Sequence, residues 1–244
     1  MSRFLVLALT LATAAALASA CAAPEEAPPV QTSDVVAAIP WPDRETARYR
    51  MVDNDGNDVG DATLSIERDG NAYVLRSSFD SGETTDESEV RVDASTLKPL
   101  RVSRTIVSKD ETTEFTAVYR PEDDLVELTE KTDGDQRTNP LRLPDHYYDN
   151  GTSLFLWRAI EFRDGYEVAY NAVLSTQRRT VPVTLRVSGP ERVETPAGSF
   201  DAWRVEVKGG GATLFAWYAD TAERPLVRYE NPELDLHYLL ESIE

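Results

Sequence analysis

Few side chains in this sequence of 244 residues have the type and spacing that covalent chemistry needs. His146 and His237 are its only histidines, and Cys21 is its only cysteine. Either imidazole could serve as a general base. Two histidines leave little for a histidine-built metal centre, and a single cysteine excludes a multi-thiolate or iron–sulfur site and an internal disulfide framework. No Gly-x-Ser-x-Gly occurs, so a serine nucleophile lacks a visible setting. Asp123-Asp124 and the acid-rich run 80–89 could supply a carboxylate pair for acid–base or glycosidic chemistry. That chemistry needs a cleft that drives two pKa values apart and holds the carboxyls roughly 5–9.5 Å from each other. With 43 Asp and Glu in the chain such adjacency arises freely, and both runs read as solvated surface. Asp53-Asn54-Asp55-Gly56-Asn57-Asp58 has some of the composition of a calcium loop, but its sixth and twelfth positions are Asp58 and Leu64, where Gly and Glu are needed. It reads as a hairpin turn. Gly209-Gly210-Gly211 lacks the Lys-Ser/Thr of a phosphate loop and reads as a flexible connection. No catalytic residue, metal site or cofactor is assigned.

The aromatic residues carry more. Phe155, Trp157, Trp203, Trp217 and Tyr218 fall on segments expected to be buried or half-buried, joined by Phe200 and Phe215. In a curved sheet such side chains fill a core, or line an apolar pocket with a few polar handles. In the pocket reading, Phe155 acts as a lid, and Trp217→Ala is expected to abolish ligand binding with only moderate destabilisation.

These residues are positioned by a chain with a legible address. Met1-Ser2-Arg3 precedes an uncharged apolar run over 4–18, too short for a span of about 20 residues, and then Ala18-Ser19-Ala20. That is a signal peptide over 1–20. Leu17-Ala18-Ser19-Ala20-Cys21 resembles a bacterial lipobox, with Leu one place early, so Cys21 is the expected lipidation site. Two acyl chains would anchor the protein stably. The segment 21–39 is rich in Pro, Glu and small residues and reads as an extended tether, with order beginning between Val35 and Trp41. A net charge of −18 excludes nucleic-acid partners and argues against a membrane-binding face. The expected location is exported, anchored in a membrane and facing the periplasm or the cell exterior.

Residues 40–244 read as one domain, mainly β: a single antiparallel meander forming a curved or barrel-like sheet. Strand candidates lie at 46–52, 59–67, 72–79, 87–92, 97–107, 114–119, 125–131, 137–143, 166–174, 180–187, 199–208, 212–218, 225–229 and 234–240. Asp69-Gly70 is a strong hairpin signal, and Trp203, Val205 and Val207 alternate with Arg204, Glu206 and Lys208. Residues 152–162 instead read as one short helix buried against the sheet, with Thr152 or Ser153 as its N-cap.

The stretch 193–207, Ala216-Trp217-Tyr218-Ala219-Asp220 and Arg224-Pro225-Leu226-Val227-Arg228-Tyr229-Glu230 together resemble the bacterial exported family known as domain of unknown function 3108. Asp58-Val59-Gly60 and the stretch 93–101 fit the same resemblance. It implies an antiparallel β domain of the periplasm or cell surface, similar to half-closed barrels that carry lipids or lipoproteins, and it brings no catalytic residues with it. Three function classes follow. The first is a non-enzymatic envelope lipoprotein holding a hydrophobic ligand or acyl chain in its curved sheet. The others are an envelope assembly or protein-interaction module, and a carboxylate-dependent hydrolase.

Overall fold

The structure, a computed structural model, describes residues 30–109 and 111–244. The expected signal peptide, Cys21 and the first part of the tether lie outside the described residues.

Among the described residues, fifteen strands form one sheet. The first wing is a meander of β1 (Arg44–Val52), β2 (Asp58–Asp69), β3 (Ala72–Asp80), β4 (Thr84–Asp93), β5 (Pro99–Ser108), β6 (Glu111–Arg120), β7 (Leu125–Thr132) and β8 (Asp135–Arg142). The second holds β9 (Tyr147–Asp149), β10 (Glu167–Leu174), β11 (Arg179–Thr195), β12 (Gly198–Gly209), β13 (Ala212–Ala219), β14 (Leu226–Asn231) and β15 (Leu236–Ile243). The wings meet at their first and last strands, where β1 and β15 pair antiparallel from Ala47–Ile243 to Val52–His237. The outer edges are β8 and β9, so the ladder does not close into a barrel. Every neighbouring pair is antiparallel except β9 with β10. The mainly β reading and its meander therefore hold.

Turn chemistry sets the hairpins. Between β1 and β2 the Asp53 carboxylate accepts from the backbone N–H of Asp55 (3.0 Å) and Asn57 (2.8 Å), with Gly56 in the left-handed region. That is the expected hairpin turn, with its first acid spent on the turn itself. Gly60, at φ +140°, lets β2 pass so close to β3 that an added Cβ would stand 2.0 Å from the Asp80 carbonyl oxygen. Gly210 and Gly211 make the β12–β13 turn at positive φ.

Strand alternation then sorts side chains to two faces. Ala47, Tyr49 and Met51 of β1, Val90 and Val92 of β4, and Val205 and Val207 of β12 face inward and are buried. On this concave side sits the segment expected as a helix. It is a composite: a 3-10 turn over Asn150–Thr152, one α turn, α1 (Ser153–Leu156), and a second 3-10 turn over Trp157–Ala159. Leu156, Ala159 and Ile160 are wholly buried. Arg158 goes in with them because Glu45 of β1 grips it bidentately (2.6 and 2.8 Å) and the Glu223 carbonyl accepts from its Nε. The last part of the expected tether is also docked. Val35 is buried, Ser33 N–H donates to the Ala169 carbonyl, and Asp34 pairs with Lys98 (2.6 Å). The packed chain thus reaches back to Ser33, ahead of the expected start, because β10 has a free edge beside β9 for Thr32 and Ser33 to bind.

Candidate ligand-binding cavity

Between the wings, above α1, lies a partly enclosed cavity of about 550 Å³, with a smaller one of about 100 Å³ adjoining it. That volume is within the range of small-molecule sites. One wall is aromatic and aliphatic. Phe79 of β3 stacks on Tyr238 of β15 (5.5 Å between centroids), Tyr238 lies 4.9 Å from Tyr229 of β14, and Leu154 and Trp157 rise from the helical segment. The lip carries Leu234, 69% exposed in the β14–β15 turn, opposite Thr176 and Gln177 of the β10–β11 turn.

The other wall is polar and comes from β4, β5 and the start of the helical segment. Arg104 donates Nε (2.7 Å) and Nη2 (2.5 Å) to the two oxygens of Asp86. Asp149 is almost fully buried and fully engaged. Gly151 N–H donates to its Oδ1 (2.7 Å), and the hydroxyls of Tyr119 (2.6 Å) and Ser175 donate to its Oδ2. Burial pushes the Asp149 carboxyl above the ordinary aspartate range, while these hydrogen bonds and the Arg104 charge pull it back. Tyr119 belongs to the first wing and Ser175 to the second, so Asp149 ties the wings together. Arg178 adds a second tie across the same gap by pairing with Glu130 of β7. Side chains hold the open side of the sheet where no ladder does. The β4 wall crowds Gly151, where a Cβ would stand 2.9 Å from Val90 and 3.3 Å from the Ser88 hydroxyl. That hydroxyl has no hydrogen-bond partner among the described residues.

The five aromatic residues singled out in the sequence do not line one pocket, although Trp203 and Tyr218 are cross-strand partners that both pack on Phe162. Trp157 lines the main cavity and Phe155 the small one, where Phe155 is packed in the core. Tyr218 is fully buried beneath the helical segment, its hydroxyl donating to the Leu154 carbonyl (2.7 Å). Trp203 is half-buried, with its indole N–H on Asp220 (2.8 Å) and Phe162 against its ring. Trp217 pairs across strands with Arg204 and Arg228 on the convex face, where both guanidiniums lie over its ring at 5.7 and 5.2 Å. Its indole N–H donates to the Glu191 carboxylate, and it is buried within the hydrophobic cluster with the two cations stacked on it. His146 and His237 stay apart, His146 beside Asp34 and His237 on Asn54 and Glu230. The acidic run 80–89 is not wholly surface. Asp86 is an inward residue, and its signal was the alternation Asp86, Ser88, Val90, Val92, hidden when the strand is begun at Glu87.

The sequence matches the family described as Protein of unknown function (DUF3108) over residues 46–233. The chain belongs to the DUF3108 family. Members of curated sequence collections give no match. Among solved structures, this DUF3108 chain is similar to a β-barrel-like protein of domain of unknown function DUF1849 from Brucella abortus. The two are 11% identical with a TM-score of 0.54, and the match covers 82% of this chain and 97% of that one. Weaker similarity, at a TM-score of 0.33, is found to a protein described as exported, with a YmcC-like fold, from Bacteroides fragilis (11% identity, covering 86% and 99%). The same TM-score is found to one described as a lipoprotein from Parabacteroides distasonis (12% identity, covering 87% and 100%). The Brucella likeness shows a shared barrel-like fold.

Proposed function

We propose that this DUF3108 protein is a membrane-anchored envelope lipoprotein that holds a small apolar molecule or acyl chain between its wings. One observation carries the reading: a cavity of about 550 Å³ persists on the concave side of the sheet, with stacked aromatic rings on one wall and an exposed leucine at its lip. A filled core would have closed it, since interiors pack to crystal density. The leader over 1–20 and the lipobox-like approach to Cys21 support the exported, anchored part. A hydrolase built on paired acids draws little from this geometry. Asp86 is spent on Arg104, and every oxygen of Asp149 accepts an internal hydrogen bond.

The test is native mass spectrometry of the exported chain carrying Cys21→Ser, purified without detergent, followed by solvent extraction. A bound apolar mass is expected, and Leu174→Trp, which would fill the cavity from β10, is expected to remove it. A clean ligand-free mass at every stage of purification would overturn the carrier reading in favour of an assembly module.

A further inference from the structure

Among the described residues, the charged groups on the cavity wall are three: Asp86, Arg104 and Asp149. Each is already matched. Arg104 and Asp86 form a two-point fork in which both carboxylate oxygens are used, and Asp149 spends its oxygens on Gly151, Tyr119 and Ser175. An ionised carboxylate or phosphate entering here would be stripped of water and would meet no unmatched cation. An ammonium would meet no unmatched carboxylate. Either ion loses its hydration without compensation, and the chain's net charge of −18 further opposes an anion.

The wall does offer unused hydrogen-bond donors. The Ser88 hydroxyl lacks a partner and is enclosed beside Gly151, so it reaches a ligand by turning about its Cα–Cβ bond, and Arg104 Nη1 lies outside the fork to Asp86. Both stand on the polar wall, facing a side lined by Phe79, Tyr229 and Tyr238. A group that accepts hydrogen bonds without carrying charge satisfies such donors at the least desolvation cost.

We propose that the ligand is an uncharged amphiphile, with an ester or amide carbonyl accepting from Ser88 and Arg104 and an apolar body against the aromatic wall. This rests on the carrier reading above and narrows it to one class of molecule. It sets aside free fatty acids, phospholipid head groups inside the cavity, and cationic amphiphiles.

The experiment measures competition by four twelve-carbon probes at neutral pH: methyl dodecanoate, dodecanoate, dodecylammonium and dodecane. The exported chain with Cys21→Ser is used beside the same chain with Ser88→Ala added. The ester is expected to bind about ten-fold or more tighter than either ion. Ser88→Ala is expected to weaken ester binding several-fold, leave dodecane unchanged, and keep or raise the thermal midpoint, because it deletes an unpartnered buried hydroxyl. Dodecanoate or dodecylammonium binding as tightly as the ester would overturn the uncharged-head assignment while leaving the carrier reading intact. Unchanged ester affinity in Ser88→Ala would do the same. No binding of any probe, dodecane included, would overturn the carrier reading itself.

Discussion

Asp149 shows how one buried acid can serve architecture. Its amide replacement keeps an acceptor for Gly151 but puts an NH₂ where two hydroxyls donate. Asp149→Asn is therefore expected to cost about 1–3 kcal/mol in urea unfolding at pH 7. The pH dependence has a definite sign. A carboxyl raised by burial stabilises the fold most when protonated, below the ordinary aspartate value, and that contribution is lost as pH rises through the raised folded value. The gap between wild type and Asp149→Asn should thus widen as pH falls from 7 towards 4. Asp93 has the opposite sign. Ser95 first, and also Thr96, donate to its carboxylate and pull its pKa down to about 2. Its contribution is present above the ordinary aspartate value and fades as pH falls towards 2. Melting curves between pH 5 and 2 should show a loss in the wild type that Asp93→Asn lacks. At this scale the environment of Trp217 was the least legible in the sequence. Its alternation partners are Phe215 and Ala219, and only the register against Arg204 and Arg228 reveals that this face is the convex one. Trp217→Ala is now expected to leave cavity occupancy unchanged while lowering the melting temperature.

Strands with long alternation were legible because residues of one face must share one environment. Short or interrupted ones were not. Tyr147-Tyr148-Asp149, caught between Pro144 and Gly151, is too brief for any period to show, yet it becomes β9 and delivers Asp149 to the cavity. Gly189-Pro190 reads as a break after Val187. In the structure β11 continues to Thr195 and accommodates the pair as an irregularity between Ser188 and Glu191. The helical segment was legible as buried, but its division into 3-10 and α turns depends on packing under the sheet. Two substitutions test how elements are held. Gly60→Ala forces a Cβ into the β3 backbone at a positive φ and should unfold the β2–β3 hairpin or cost several kcal/mol, read by urea unfolding. Glu45→Ala strands Arg158 in the interior and should cost about 3–5 kcal/mol. Glu45 sits in β1 at a position that burial alone would assign to an apolar residue, so nothing local in the sequence announces it.

For the whole molecule, the order of strands was the least legible feature. Hairpin turns give neighbours along each wing, but the pairing of β1 with β15 joins residues almost two hundred positions apart and no local pattern encodes it. The cavity depends on that pairing, since its aromatic wall takes Phe79 from one wing and Tyr229 and Tyr238 from the other. Hydrogen exchange should reveal the same hierarchy. Amides of β1 and β15, paired on both sides, are expected to be the slowest. Those of β8, exposed along nearly its whole length at the sheet edge, should be the fastest among the strands. Faster exchange in β1 than in β8 would contradict this picture.

The seam also fixes a sequence of events during biosynthesis. β1 is the first strand of the sheet to be made and β15 the last, yet they are neighbours at its centre. Until β15 emerges, the finished first wing presents β1 as an unsatisfied template at the point where the second wing must attach. A chain stalled before Leu236 would carry two incomplete half-sheets with bare backbone groups at the join. Such nascent intermediates are natural clients for holdase chaperones, and the pairing of β15 with β1 is what commits the sheet to its native shape.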